Sequence, residues 1–505
     1  MNTPTTAPRR SPQQRVSSTT VRSHIAGEPD HEDGTAVPLV DPATGAVWGE
    51  AVVSPAAVHR AVAAAEQARA TSGWAQLQGW QRAEVLRRLG ALIARDAADL
   101  AEYETLANGK PLRSTTAEMT VLQRWYDFFA AAAETHTGSY RSLSPTRDGV
   151  VVEEPVGVVA AITPFNGALS LGSWKIAPAL AVGNSVVVKP PVHAAASTAR
   201  LAELALEAGL PPGVLNVVVG GAEEGAALAA DERVDLVSFT GSTAVARRLG
   251  AVVAGRLGRF VCEAGGKSAH IVMDDADLGS AVIAVAQGLF SATGQTCVAG
   301  SRILVHEAIA AEFTARLKAH AAHIVVGDPY EGGTHLGPVA SSAQLERIEG
   351  FVDDALARGA QPLFGGTRVE PGAELAGGNW FPPTVLEATT EDMAVCSEEV
   401  FGPVGVLHVF GSAEEALEIA NSVEYGLAAG VWSASADTAH RMSRGLAAGT
   451  VWVNTYRAID WRMPFGGYKQ SGLGRENGLE AMREFTQVKS VVQDYGPHPD
   501  PFAIA

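Results

Sequence analysis

The sequence predicts an α/β fold of two doubly wound units, and three observations carry that expectation. From residue 156 onward, short β-branched runs alternate with Ala- and Leu-rich stretches of helical length. The runs are apolar along their whole length, as strands of a parallel sheet covered on both faces are. A length of 505 residues exceeds the ~100–200 of a usual domain, so a single unit is not expected. Right-handed crossovers between such strands then favour double winding.

Residues 1–24 are rich in Pro, Ser, Thr and Gln and hold no acidic residue, and 1–21 reads as a flexible N-terminal arm. Acidic residues follow at once from Glu28 to Asp33, against a nucleic-acid-binding tail. From Ala56 to Leu106 apolar residues recur at three- and four-residue spacing, which predicts helices. The strand VGVVAAIT then precedes the helix LSLGSWKIAPALAVG, and SVVVKP precedes STARLAELALEAG. NVVVG and EEGAALAA follow, then VDLVSFT and STAVARRLGAVVA.

A second series opens at SAHIVMDD with helix SAVIAVAQGLF, strand SRILVHE and helix AIAAEFTARLKAHAA. It runs on through ERIEGFVDDALARGA, WFPPTVLE and GVLHVF to helix SAEEALEIANS. The last stretch, EFTQVKSVVQD, alternates polar and apolar residues and reads as a strand that pairs in its own sheet or joins a neighbouring subunit.

With 55 acidic against 38 basic residues the formal charge is −17, which argues against a general nucleic-acid binder, since phosphate backbones reward clustered Lys and Arg. No apolar run approaches the roughly 18 residues of a membrane helix, so no membrane association is expected. Arg9 and Arg10 stand together, but no apolar stretch follows them, and no signal peptide is expected. Cys262, Cys297 and Cys396 cannot all pair, and a chain this long needs no disulfide staples, so a reducing, cytoplasmic compartment is expected. His320 and His323 lack acidic neighbours and complete no zinc-ligand spacing, so no metal is expected. A G-x-S-x-G elbow is absent, and SGLGRENG has the wrong spacing for a dinucleotide fingerprint.

Four short motifs can carry chemistry. In VSFTGSTAVARRLG a buried strand runs through Phe239, Thr240, Gly241 and Ser242 into a helix, whose free N–H groups suit a diphosphate or a plain N-cap. GQTCVAGSR sets Cys297 among small neighbours, as a reactive thiolate or an inert core cysteine. CEAGGK places Glu263 at a strand end before Gly265 and Gly266, as a general base of raised pKa or one half of a salt bridge. In TPFNG the Asn166 amide follows a buried strand, where it can donate to an oxyanion or make a turn.

EEPVGVVAAITPFN, SWKIAPALAVGNSVVVKP, FTGST, CEAGGK, GQTCVAGSR, SEEVFGPV and MPFGGYKQSGLGRENG with EFTQVKS, in that order and spacing, resemble the aldehyde dehydrogenase superfamily from about residue 22 to about 497. The resemblance implies an enzyme that oxidises a small-molecule aldehyde to its acid with NAD(P). Cys297 matches the nucleophile that forms a thiohemiacetal and then a thioester, and Asn166 with the Cys297 backbone N–H matches the oxyanion hole. Glu263 matches the base that activates water, and Lys175 with Glu476 matches a proton relay.

The implied cofactor residues are Ile162, Thr163, Phe165, Gly220 and Phe239, with Lys189 at the adenosine ribose. Gly241 and Ser242 match the diphosphate turn, and Glu399 with Phe401 the nicotinamide ribose. Lys189-Pro190-Pro191-Val192 stands where the family pattern is K-P-S-E. The glutamate that repels a 2′-phosphate is therefore replaced by Val192, so NAD is expected, with NADP tolerated. Phe165 replaces a common tryptophan and Ala246 the last glycine of the diphosphate turn; neither removes a catalytic group.

Positions matching the substrate tunnel are Gly167, Leu171, Trp174, Thr296, Val298, Arg457, Ile459 and Phe465. Gly167 stands where many relatives carry an aromatic ring, which implies a roomier tunnel for a bulky, aromatic or polar-tailed aldehyde. Arg457 and Arg462 can face its mouth and attract a carboxylate, unless one pairs with Asp460. A thiol esterase using the same cysteine and a non-catalytic structural member of the fold are the alternatives. Retained Cys297, Glu263, Asn166, Lys175 and Glu399 argue against the second.

The implied architecture is a Rossmann-like cofactor domain over 22–132 and 155–266 and a catalytic domain over 267–470. A β arm over 133–154 and 484–497 is expected to join subunits into a homodimer or homotetramer.

Overall fold

The computed structural model describes residues 19–387, 390, 392–498 and 500–502. An eight-stranded sheet runs in the order Gly472–Leu473, Arg259–Glu263, Leu236–Thr240, Val158–Ile162, Ser185–Lys189, Leu215–Val217, His24–Ile25 and Glu28–Pro29. The five central strands, from Arg259–Glu263 to Leu215–Val217, are parallel, as their apolar sequences predict. Antiparallel strands close both edges, an addition to the purely parallel sheet expected.

Val158–Ile162 shows why its residues are all apolar. Val159 and Ala161 pack into one core, while Val158, Ala160 and Ile162 pack into the core on the opposite face. Helix Ala168–Ala181 covers the first face, and Pro55–Thr71, opened by its proline, and Thr243–Gly255 cover the second.

A second sheet of seven strands runs Gln361–Phe364, Thr384–Glu387, Val404–Phe410, Arg302–His306, Ala269–Val272, Ala428–Trp432 and Thr450–Val453. All its pairs are parallel except the first. The fold is thus α/β with two doubly wound sheets. In WFPPTVLE the strand begins only at Thr384, because Pro382 and Pro383 lack ladder donors.

Of the arm expected over 1–21, residues 1–18 lie outside the described residues. Thr19–Val21 form a strand parallel to Val47–Val53, which also pairs with Thr35–Val40. A further antiparallel sheet joins Ser139–Ser144, Arg147–Pro155 and Thr486–Asp494. Thr486–Asp494 exposes almost every residue, including Val488, Val491 and Val492. Among the described residues no helix is long and apolar enough to cross a membrane, and no cluster of side chains could hold a metal ion.

Candidate active site

Numbered from Val158–Ile162, the five parallel strands stand in the order 5-4-1-2-3, so the order reverses between Val158–Ile162 and Leu236–Thr240. A crevice outside the carboxyl ends of two such strands is where doubly wound sheets bind ligands. Ile162, Thr163, Phe165 and Asn166 continue from the first strand, and Gly241 and Ser242 from the second.

Asn166 sits in the tight turn Phe165–Gly167 that leads into helix Ala168–Ala181. Its Nδ2 donates to the carbonyl of Gln295 at 2.9 Å, two residues ahead of Cys297. Buried Gln295 is fixed in turn, its Oε1 accepting from the Ala340 N–H at 3.0 Å. The helix start is tied down by fully buried Glu104, whose Oε1 accepts from the Ser197 hydroxyl at 2.6 Å and the Leu169 N–H at 3.2 Å.

The chain reaches Cys297 through a sharp bend, with Ala292, Thr293 and Gly294 all at positive φ. At Gly294, φ is +67°, and a β-carbon would lie 2.1 Å from the Gly402 carbonyl oxygen, so only glycine fits. Cys297 is a free, half-buried thiol. Burial, and then the charges of Glu399 and Glu263, push its pKa up to about 12, while Arg457 opposes them. Tyr456, stacked on His270 with ring centroids 4.2 Å apart, donates its hydroxyl to the carbonyl of Val298 at 3.0 Å.

The glycines after Glu263 are explained by what they touch. A β-carbon at Gly265 would lie 2.5 Å from Glu399 Oε2, and one at Gly266 would lie 2.3 Å from the Cys297 carbonyl oxygen. The Gly266 N–H donates to Glu399 Oε1 at 3.0 Å. Two missing side chains therefore let Glu399 and the nucleophile loop close on the end of the Glu263 strand. Glu399 is itself buried, which pushes its pKa up to about 7.

Glu263 is 3% exposed, and neither of its carboxylate oxygens has a well-formed hydrogen bond. Burial, reinforced by Glu476, raises its pKa well above the carboxylate range; Lys175 and Arg475 oppose the rise, and the Gly467 N–H offsets a little. Its oxygens lie beside Gly466 and Gly472, where a β-carbon would come within 2.7 and 3.3 Å of them. Beyond it Lys175 Nζ is hydrogen-bonded to Glu476 Oε1 in a buried ion pair. Lys175, Glu476 and Glu263 thus share one enclosed region.

On the crevice side, Gly241 packs against Phe239, whose Cζ would lie 2.5 Å from a β-carbon there. Ser242 occupies the N-cap of helix Thr243–Gly255, yet its hydroxyl makes no capping bond. The capping alternative for this turn is therefore not realised through Ser242. The hydroxyls of Thr163 and Thr240 are buried without partners. Lys189 Nζ donates to the carbonyl of Gly220 at 2.8 Å, and burial lowers its pKa to about 8 despite Glu224. Phe165 and Phe401 meet edge to face at 5.7 Å, Phe401 with φ at 58°. Val192, part-buried, packs with Val21, Leu39 and Val219. Open N–H groups, orphaned hydroxyls and the glycine turn suit a dinucleotide.

Of the expected tunnel positions, Trp174, Val298, Phe465, Leu171 and Ile459 pack in one cluster with Cys297. Trp174 stacks on Trp125 at 5.9 Å and meets Phe465 edge to face at 5.4 Å. Thr296 is part-buried beside the nucleophile. At Gly167 a β-carbon would lie 2.7 Å from Ser170 Oγ and 3.2 Å from Leu171 Cγ, so the next turn of the helix packs close to its backbone. Arg462 is exposed and paired with Asp460 at 2.7 Å, whereas Arg457 is part-buried and makes no ion pair with a described residue. Gln295, Tyr456 and Glu104 are contributions that the sequence did not single out, since each acts on a partner far along the chain.

The chain as a whole is similar to known proteins. The sequence matches the aldehyde dehydrogenase family over residues 29–491. It is 41% identical over 484 residues to a betaine aldehyde dehydrogenase of Cereibacter sphaeroides, covering 95% of this chain and 98% of that one. It is 40% identical over 483 residues to (Z)-2-((N-methylformamido)methylene)-5-hydroxybutyrolactone dehydrogenase of Acinetobacter baylyi, covering 94% and 97%. The crystal structure of an NAD-dependent aldehyde dehydrogenase from Sinorhizobium meliloti superposes with a TM-score of 0.94 at 36% identity, covering 97% of this chain and 98% of that one. Sequence and fold agree along nearly the whole chain, and the protein belongs to the aldehyde dehydrogenase family.

Proposed function

We propose that the protein oxidises an aldehyde to its carboxylic acid with NAD through covalent capture on Cys297. The observation that carries this reading is the convergence of Cys297, Asn166 and Glu263 beside Glu399, from four separate segments, at the sheet's switch point.

Cys297 Sγ attacks the aldehyde carbonyl carbon to give a thiohemiacetal. Its pKa of about 12 leaves the resting thiol protonated, so attack needs an acceptor for that proton, and Glu263 is the buried carboxylate whose charge the thiol feels. Asn166 spends one amide hydrogen on Gln295 and keeps the second for the developing oxyanion. The Cys297 backbone N–H is the second donor.

When bound, NAD supplies the hydride acceptor; Gly241, Ser242, Thr163, Lys189 and Glu399 are the residues placed to hold it. The resulting Cys297 thioester is cleaved by water whose proton passes to Glu263. Lys175 and Glu476 then carry that proton away from the aldehyde.

NADP is accepted as a weaker cofactor, because Val192 brings no carboxylate and Glu224 is committed to the Gly221 N–H at 2.7 Å. The subunit associates as a homodimer or homotetramer through the exposed valines of Thr486–Asp494. Three free cysteines fit a reducing, cytoplasmic setting.

Aldehyde-dependent NADH formation tests the reading. It is expected with the native enzyme and absent in Cys297→Ala; full turnover in that variant would overturn the mechanism.

A further inference from the structure

Arg457 occupies an unusual place for a guanidinium. It follows Tyr456, whose hydroxyl is anchored on Val298, and precedes Ala458, whose carbonyl accepts from Trp452 Nε1 at 3.1 Å. Between these anchors Arg457 takes φ of 58°, a left-handed conformation that a side chain this large adopts only when its surroundings impose it. The bend brings its Nη1 to the carbonyl of Ser291, at the start of the segment that leads to Cys297, and its charge acts on that thiol.

The group arrives there underpaired. Five N–H donors are available, and the hydrogen bond it makes is a long one to the Ser291 carbonyl at 3.5 Å. No carboxylate of the described residues pairs with it. Glu118, the acidic neighbour that acts on it most strongly, already accepts two bonds from Lys110 Nζ, at 3.0 and 2.9 Å. A part-buried guanidinium with unfilled donors is matched by a carboxylate, which takes two parallel N–H bonds.

One aromatic ring of this cluster, Trp461, is already engaged with cations. Arg124 lies 5.3 Å and Arg462 5.6 Å from the centre of the Trp461 ring, and the edge of the Trp125–Trp461 pair faces the same cluster as Cys297. A quaternary ammonium group entering here meets the positive charge of Arg457 and, at Trp461, a ring already shared by two arginines.

Resting on the aldehyde-oxidation reading above, we propose that Arg457 makes this site selective for aldehydes bearing a carboxylate and disfavours cationic aldehydes such as betaine aldehyde. Charge-assisted hydrogen bonds to this guanidinium are expected to raise kcat/KM by about tenfold or more over a neutral analogue.

The test uses the full-length enzyme with NAD and two matched pairs, succinate semialdehyde with butanal and 4-carboxybenzaldehyde with 4-methylbenzaldehyde, plus betaine aldehyde. The carboxylate member is expected to lead by about tenfold or more in at least one pair, with betaine aldehyde the poorest of the five. That lead is expected to collapse in Arg457→Gln and to survive in Arg462→Gln. Neutral members equal to or better than their partners in both pairs would overturn the proposal, as would a lead that persists in Arg457→Gln or betaine aldehyde as the best substrate. The native-enzyme comparison decides the matter even if Arg457→Gln fails to fold. NADH formation with neutral aldehydes but no carboxylate preference refutes this proposal alone; no NADH with any of the five refutes the oxidation reading and this inference with it.

Discussion

The hydroxyl of Tyr456 holds the carbonyl of Val298, the residue after the nucleophile, at 3.0 Å. The ring is held from all sides: His270 stacks on it, and β-carbons at Gly288 and Gly430 would lie 2.6 and 2.5 Å from its edge atoms. Tyr456→Phe keeps this packing and orphans one buried carbonyl, a loss of about 1–3 kcal/mol. The expected outcome is a Tm lower by several degrees and a reduced kcat with KM for NAD unchanged, read by calorimetry and steady-state kinetics. An unchanged kcat would show that the bond does not position Cys297.

Glu263 gives a pH dependence with a definite sign. Its folded pKa lies above the unfolded value, so the folded state binds the extra proton and stability falls as pH rises from the unfolded pKa through the folded one. Thioester hydrolysis runs the other way, because the base form accumulates as pH rises. Glu263→Gln is therefore expected to melt higher than the native enzyme at alkaline pH while losing steady-state turnover. A stoichiometric burst of NADH followed by arrest is the kinetic signature to look for.

Gly266→Ala tests the close approach of two segments. Its new methyl group would meet the Cys297 carbonyl oxygen at 2.3 Å, a rigid backbone atom. We expect kcat to fall by at least about a hundredfold, as misplacing a reacting group by an ångström does, with the far-UV spectrum retained.

Val192→Glu restores the carboxylate of the K-P-S-E pattern. The ratio of kcat/KM for NAD to that for NADP is expected to rise in the variant, mostly through a higher KM for NADP. A native enzyme that already rejects NADP outright would refute the tolerance.

The exposed strand Thr486–Asp494 predicts its own test. Val488 is 67% and Val492 59% exposed, on a strand whose other side is paired along its length with Arg147–Pro155. The double variant Val488→Asp with Val492→Asp is expected to shift the light-scattering mass to that of one subunit without loss of secondary structure.

The strands of both sheets were legible because burial on two faces leaves an unmistakable apolar run, as in Val158–Ile162 and Ser185–Lys189. The short strands Thr19–Val21 and His24–Ile25 were not, since a few residues at a sheet edge carry no periodicity. Cys297, Glu263 and Asn166 stood in recognisable motifs. Their supports did not: Gln295 meets Asn166 across 129 residues and Tyr456 meets Val298 across 158, distances at which local pattern carries no signal.

The return of the chain to its first sheet also sets a timetable. Gly472–Leu473 pair with Cys262–Glu263, Glu476 reaches back to Lys175, and Asn477 accepts from Trp125 Nε1 across 352 residues. During synthesis the first sheet can assemble early, with its base on an unprotected edge strand. Only after residue 477 has left the ribosome do that strand, the relay and the wall of the pocket come together. Assembly of the enclosed region around Glu263 is thus the last step the growing polypeptide completes.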